Sequence, residues 1–189
     1  MLQQLIKPSL LFFGITMPIW IGYRYTIAQI KKRNNRPFDA AREWWLFLFY
    51  IYIGFVLILT IMPLPMAREK YPGSTRINFI PIITTAKHFI ATLINFKTFL
   101  RSGSIENVFG NFLLFVPFGF LLPLLWNKYN NWLRVLGLAF MLSISIEMIQ
   151  LANRIFELYR SVDIDDIILN TSGALAGYYF FIKIKSNSK

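Results

Sequence analysis

Long apolar stretches alternate with short polar ones along the chain, and this pattern predicts the architecture. Five stretches each approach the roughly 20 residues that an α-helix needs to cross a bilayer. They lie at residues 10–25, 44–62, 108–126, 133–152 and 167–184. Pro63 and Pro65 close the second stretch, because proline cannot continue the helical hydrogen bonds. We therefore predict an all-α polytopic membrane helix bundle with about five transmembrane helices.

The longest connection has a helical pattern in its second half. Apolar residues between Ile82 and Ile94 recur at helical spacing, and His88 falls on the opposite side. Such a helix would lie in the membrane interface with its apolar face down. The alternative is a re-entrant segment that begins at Asn78-Phe79-Ile80-Pro81, which is tolerated only where protein buries it. The predicted organisation is a helix pair (1–62), this loop (63–104) and a three-helix core (105–186).

Composition agrees with a membrane domain and excludes several kinds of functional site. Hydrophobic residues make up 56% of the chain and charged residues only 15%, whereas soluble domains carry roughly 25% charged residues. The chain has no cysteine, which excludes disulfides, thiolate metal sites and thiol catalysis. A single histidine excludes chemistry that needs two imidazoles.

The net charge of +11 comes from basic residues that flank the apolar stretches. This placement indicates how the chain is oriented in the membrane and does not indicate nucleic-acid binding. Near a membrane surface such residues contact anionic lipid headgroups. They accumulate between the first two stretches and in the C-terminal tail: Arg24, Lys31, Lys32, Arg33, Arg36, Arg42, Lys183, Lys185 and Lys189. Basic loops stay in the cytoplasm. Five helices place both regions on one side, so we expect the C-terminus in the cytoplasm and the N-terminus outside.

Polar residues at membrane depth converge on the opposite side. Helices alternate in direction, so the start of the third stretch, the end of the fourth and the start of the fifth share one side of the bilayer. Three segments deliver polar groups there: Glu106, Asn107 and Asn111; Ser143, Ser145, Glu147 and Gln150; Arg160, Asp163, Asp165, Asp166 and Asn170. A carboxylate at this depth costs roughly 2.5–3.5 kcal/mol and needs a partner. We expect Arg154 or Arg160 to pair with Glu147.

Helical spacing places several of these groups on common faces. Asn107 and Asn111 are four residues apart, and Glu147 and Gln150 are three apart, so each pair shares a face. Asp163, Asp166, Asn170, Gly173 and Gly177 step by 3, 4, 3 and 4 residues and so form a single stripe down the fifth helix. Its glycines, spaced as G-x-x-x-G, let another helix approach closely. The stripe is therefore predicted to face the protein interior.

Several motifs occur in order between residues 76 and 180. They are Asn78-Phe79-Ile80-Pro81, Glu106-Asn107-Val108 through Asn111, Phe115-Val116-Pro117-Phe118-Gly119, Ser145-Ile146-Glu147-Met148-Ile149-Gln150, and Asp163-Ile164-Asp165-Asp166 through Asn170-Thr171-Ser172-Gly173. This ordered set resembles the VanZ-like family of bacterial membrane proteins. The first two stretches match the family in nothing beyond hydrophobicity. The resemblance implies a protein of the bacterial cytoplasmic membrane, and the founding member is linked to resistance against the glycopeptide antibiotic teicoplanin. The resemblance supplies no catalytic residues for this chain.

The leading interpretation is an envelope factor that lowers the access of the antibiotic to its target. An outward-facing polar pocket would bind a lipid-linked cell-wall component or the glycopeptide itself. Arg160 would contact a phosphate, as a guanidinium does bidentately. Asn107, Asn111 and Asn170 would orient the ligand, with Gln150 and the carboxylates beside them.

Two alternatives remain open. The first is an enzyme acting on a lipid or polyprenyl phosphate. Glu147, Asp163, Asp165 and Asp166 are oxygen ligands suited to Mg²⁺, Mn²⁺ or Ca²⁺, and Glu147, Asp163 or Asp166 could serve as the general base. The second is a transporter. Five helices without an inverted repeat disfavour it for a monomer, but a homodimer through Gly173 and Gly177 would restore it.

Overall fold

A computed structural model of the chain describes residues 2–61, 77–78, 103–153 and 162–187, with the backbone alone at 2–4, 77–78, 103–107 and 162–163. Within these ranges, five helices are long and apolar enough to cross a membrane. They are α1 (Leu2–Arg33), α2 (Ala40–Thr60), α3 (Gly103–Leu125), α4 (Trp132–Asn153) and α5 (Ile164–Asn187). The predicted all-α polytopic bundle is confirmed. The predicted interfacial or re-entrant helix, with His88, lies outside the described residues, as do Pro63 and Pro65.

Most helices extend beyond the predicted apolar stretches, and the extensions of α1 and α5 include charged residues that were predicted to lie outside the helices. α1 continues to Arg33, so Lys31, Lys32 and Arg33 form its last turn and do not belong to a loop. Lysine and arginine favour helices and complement the negative C-terminal dipole, so the helix outlasts the apolar stretch. α5 begins at Ile164, which places Asp165 and Asp166 in its first turn and not before it. There they complement the positive N-terminal dipole.

The helices form two compact units, the first of which is the antiparallel hairpin of α1 and α2. Thr16 Oγ1 and Tyr50 Oη share a 2.6 Å hydrogen bond, and Trp20 stacks on Tyr50 with ring centroids 5.1 Å apart. The rings of Phe12 and Phe13 lie against Gly54. The hairpin is therefore packed mainly by aromatic side chains. Asp39 caps α2 by accepting a 3.0 Å hydrogen bond from the Arg42 amide.

The second unit contains α3, α4 and α5. A Cβ atom at Gly173 would overlap the carbonyl oxygen of Phe112, and one at Gly177 would overlap that of Val116. Residue numbers rise together along both helices, so α3 and α5 run parallel with their backbones in contact. On α3, Gly119 meets the carbonyl of Ala174 in the same way. Only glycine allows this approach.

α4 runs antiparallel to both neighbours. A short 3₁₀ turn, Asn127–Tyr129, joins it to α3, and the side chain of Asn131 accepts a 2.8 Å hydrogen bond from the Leu133 amide at its start. Two short strands complete the unit: β1 (Ile77–Asn78) pairs in parallel with β2 (Val162–Asp163). The pairing brings a segment of the long connection beside the start of α5.

Candidate functional site

The buried face of α4 changes from apolar to polar along its length. Val135 and Ala139 are fully buried in its first half. Ser143, Glu147 and Gln150 continue the same face at steps of four and three residues, and all three are buried. Residues at these spacings lie on one side of a helix. α4 therefore presents a polar half-stripe to the protein interior.

Asn170 on α5 contacts this half-stripe. Its Nδ2 donates a 2.8 Å hydrogen bond to Ser143 Oγ, and the two residues are 3% and 0% exposed. Because the helices are antiparallel, Glu147 and Asp166, each four residues farther toward the same end, lie at about the same depth. The bond lies about 9 Å along the helix axis from the first residue of α5.

The amide of Asn170 is only partly used. Its Oδ1 is buried and has no hydrogen-bond donor among the residues that the structure describes. A buried polar atom left in this state costs about 1–3 kcal/mol. A water molecule or a ligand that donates an N–H or O–H group would remove this cost. Asn170 thus offers one acceptor at the deep end of the polar half-stripe.

Acidic residues lie at the shallow end of the site. Asp165 is 5% exposed, whereas Asp166 is half-buried. Asp163 belongs to β2, where its backbone pairs with Asn78 and where the strand contacts α4. The predicted stripe therefore holds from Asn170 to Gly177, but Asp163 does not belong to it, because α5 begins one residue later.

The asparagines of α3 lie at matching depths. Phe112 faces Gly173, so Asn111 lies within about 3 Å of the depth of Asn170. Its side chain is half-buried, on the same helix face as the fully buried Phe115. Asn107 is one turn nearer the surface, and only its backbone is described. Three helices thus bring polar positions to one end of the core.

Charge is divided between the two ends of the three-helix core. Among its described side chains, the basic ones are Lys128, Arg134, Lys183 and Lys185, all at the end where α3 finishes and α4 begins. The acidic ones, Glu147, Asp165 and Asp166, lie toward the opposite end. Between them the buried side chains of α3 are apolar, including Phe115, Phe118 and Leu122. The polar site therefore occupies one half of the core.

Comparison with protein families gives a match over residues 49–185 to the model described as VanZ/LLP1. The chain belongs to this family. The comparison with curated proteins and the comparison with solved structures each gave no significant match. The VanZ/LLP1 match begins inside α2, so the second helix carries family similarity that its hydrophobicity alone did not reveal. The match covers α3, α4 and all but the last two residues of α5.

The VanZ-like motifs divide between packing and polar roles. Phe115, Phe118 and Gly119 are buried, and Gly119 contacts the α5 backbone, so their motif serves packing. Gly173 and Gly177 contact α3 of the same chain, and the homodimer stays a prediction. In contrast, the motif around Glu147 and the motif from Asp163 to Asn170 supply the buried polar groups.

Two parts of the predicted site lie outside the described residues. These are Arg154 and Arg160, the expected partners of Glu147, together with the side chains of Asn107 and Asp163. Among the described side chains, no three carboxylate or histidine groups are close enough to hold a metal ion. The ligand-binding, catalytic and metal assignments therefore stay predictions.

Sequence reasoning left out two features of this VanZ-family chain. Ser143 was noted on the fourth helix but not placed in the site, although its spacing from Glu147 and Gln150 puts all three on one face. The second is an ion-pair cluster in the hairpin. Arg24 forms a two-pronged salt bridge with Glu43, and Lys31 Nζ lies 3.2 Å from the same carboxylate. The available signal was the acidic residue Glu43, which directly follows the basic residues of the loop.

Proposed function

We propose that this VanZ-family protein contributes to glycopeptide resistance of the teicoplanin type. Its ligand would be a lipid-linked cell-wall component or the antibiotic, bound at the polar end of the three-helix core. The single observation that carries the proposal is the buried hydrogen bond between Asn170 and Ser143, with Glu147 and Gln150 on the same face. Polar groups inside a membrane core are costly and mark functional sites by default.

The proposed location is the bacterial cytoplasmic membrane, with the N-terminus outside and the C-terminus in the cytoplasm. The four basic side chains at one end of the core support this orientation, since such residues stay on the cytoplasmic side. The acidic end would then face outward, toward the compartment where glycopeptides act. Arg160 remains the proposed contact for a ligand phosphate.

Ligand entry requires movement, because the polar side chains are covered. α3 and α5 are fixed to each other by backbone contact at three glycines, whereas α4 meets α5 through side chains such as Ser143. α4 is therefore the helix expected to shift. Opening it would break the Ser143–Asn170 bond and offer both atoms of the Asn170 amide to a ligand.

Three conservative variants test the proposal. Glu147→Gln, Asp163→Asn and Asp166→Asn remove charge with little change in volume, and asparagine caps a helix about as well as aspartate. We expect each to reduce teicoplanin protection at least fourfold, measured as the minimum inhibitory concentration in one host at matched membrane levels. Ser145→Ala is the control, because Ser145 is exposed and its hydroxyl bonds to its own helix.

If all three variants retain full protection, the carboxylates are only a helix cap and a polar rim, and the binding proposal loses its site. Thermal stability of the purified variants separates this outcome from misfolding. A variant that loses both stability and protection does not count as support.

A further inference from the structure

The turn between α1 and α2 carries a charge cluster that the proposed function does not use. Between Arg24 and Glu43 the chain has six basic and two acidic residues, which leaves four net positive charges. One of the acids, Asp39, caps α2. The other, Glu43, accepts from Arg24 and Lys31, so two positive groups share one negative group.

Arg24 and Lys31 have N–H donors that Glu43 does not occupy. Arg24 uses its Nε and Nη2 atoms on Glu43, and in the described part of the chain no bond is formed by its Nη1. Lys31 Nζ gives one of its three N–H groups to Glu43. Both side chains are only partly exposed, at 19% and 26%. The carboxylate thus holds two cations in fixed positions with donors directed away from it.

The depth of the cluster matches a lipid headgroup. Arg24 is level with Glu43, so the last nine residues of α1 extend about 13 Å beyond that point. The apolar run of α2 starts directly after Glu43, which places the cluster at the edge of the hydrocarbon. The headgroup layer beyond that edge is roughly 5–8 Å thick. Lys32, Arg33 and Arg36 are exposed on the turn side of the cluster.

Aromatic side chains surround the same level. Tyr25 and Trp44 are 64% and 60% exposed, and Trp20 packs against Phe47 one to two turns deeper. Tyrosine and tryptophan favour the membrane interface, where their rings contact acyl chains and their polar atoms contact headgroups. The hairpin therefore offers an apolar surface directly beneath a set of prearranged cations.

We propose that this turn is a binding site for the phosphodiester group of an anionic membrane lipid. Arg24 Nη1 and Lys31 Nζ would donate to the phosphate oxygens, and Arg36 would add charge from the turn. Glu43 is a positioning residue that holds the two cations in place. Together the three side chains carry a net charge of +1. The acyl chains would lie along α1 and α2. The proposed site uses no residue of the three-helix core.

The experiment measures lipid retention by the purified full chain in native mass spectrometry and in thermal unfolding. The wild-type protein should retain phosphatidylglycerol at least fivefold better than phosphatidylcholine. Lys31→Gln and Arg36→Gln should each lower this retention about fivefold, and Lys31→Arg should restore it. Lys7→Gln, at the other end of α1, is the matched control and should have no effect.

Inorganic phosphate distinguishes the two sources of the ligand group. Displacement of phosphatidylglycerol by millimolar phosphate would mean that the anion alone is recognised, and no displacement would mean that the whole lipid is. Equal retention of the two lipids by the wild type would overturn the proposal. Equal losses of phosphatidylglycerol retention in Lys7→Gln and Lys31→Gln would also overturn it, because positive charge would then act regardless of its position on the protein.

Discussion

The hairpin of α1 and α2 and the core of α3, α4 and α5 hold their helices together by different means. In the hairpin, large rings interlock, such as Phe13 with Tyr50 and Phe55 at centroid distances of 5.9 and 5.5 Å. In the core, glycines let α3 and α5 touch along their backbones. Lipid is as apolar as these side chains, so in both units contact geometry, and not exclusion from water, drives association.

The two units also treat charge differently. The hairpin pairs Glu43, near the turn between its helices, with two cations. The core buries Glu147 and Asp165, which are 6% and 5% exposed. An edge ion pair stabilises a hairpin at little cost, whereas buried carboxylates are expensive. The polar end of the core is therefore costly to bury, and two of the family motifs lie there.

The largest expected effect concerns the glycine contacts. Gly177→Ala adds a methyl group where the Val116 carbonyl lies, and a backbone atom cannot move aside. We expect a loss of about 3 kcal/mol in stability, the upper end for overpacking, read as lower thermal stability and less monodisperse protein. Gly137→Ala is the control, because no atom lies within 4 Å of its Cβ position. Equal stability of the two variants would show that the backbone contact between α3 and α5 does not hold the core together.

A smaller effect is expected at the hairpin ion pair. Arg24→Gln leaves Glu43 with Lys31 as its described cationic partner, and should cost about 1–2 kcal/mol, because hydrogen bonds between charged groups are strong and this pair is partly exposed. Arg42→Gln, on the exposed side of the same turn, should cost almost nothing. A double-mutant cycle with Glu43→Gln measures the coupling. A coupling energy near zero would show that the pair does not hold the hairpin.

The smallest effect is expected at the hydroxyl bond inside the hairpin. Thr16→Val removes the 2.6 Å bond to Tyr50 and keeps the shape of the side chain. Hydrogen bonds between membrane helices average about 0.6 kcal/mol, so thermal unfolding should change only slightly. Thr26→Val should change less still, since Thr26 bonds only to its own helix at Gly22. A cost above about 2 kcal/mol would mean that polar contacts, and not aromatic packing, dominate the hairpin.

The sequence was a reliable guide to the helices because length and apolarity are the requirements that a bilayer imposes. It was less reliable about where they end. Lys31 and Arg33 continue α1 because backbone hydrogen bonding does not stop where apolar residues stop. Conversely, the stripe was extended too far back to Asp163, because periodicity alone does not reveal that the helix begins at Ile164.

Spacing and helix direction were enough to bring Glu147, Gln150 and Asn170 to one end of the core. They could not give the rotation of one helix against another, on which the choice of Ser143 as the partner of Asn170 depends. Nor could any pattern reveal the pairing of Ile77 with Val162, because two residues are too few to show strand alternation and the partners are distant in the chain.

That pairing has a consequence for biosynthesis. A nascent chain leaves the ribosome in order, and β2 emerges only after α3 and α4 have been made. β1 must therefore wait through the synthesis and insertion of two helices before it meets its parallel partner. The shallow end of the polar site is thus among the last parts of the protein to assemble. A chain that ended at Asn153 would contain four of the five helices but neither β2 nor Asn170, so the polar end of the core would be incomplete.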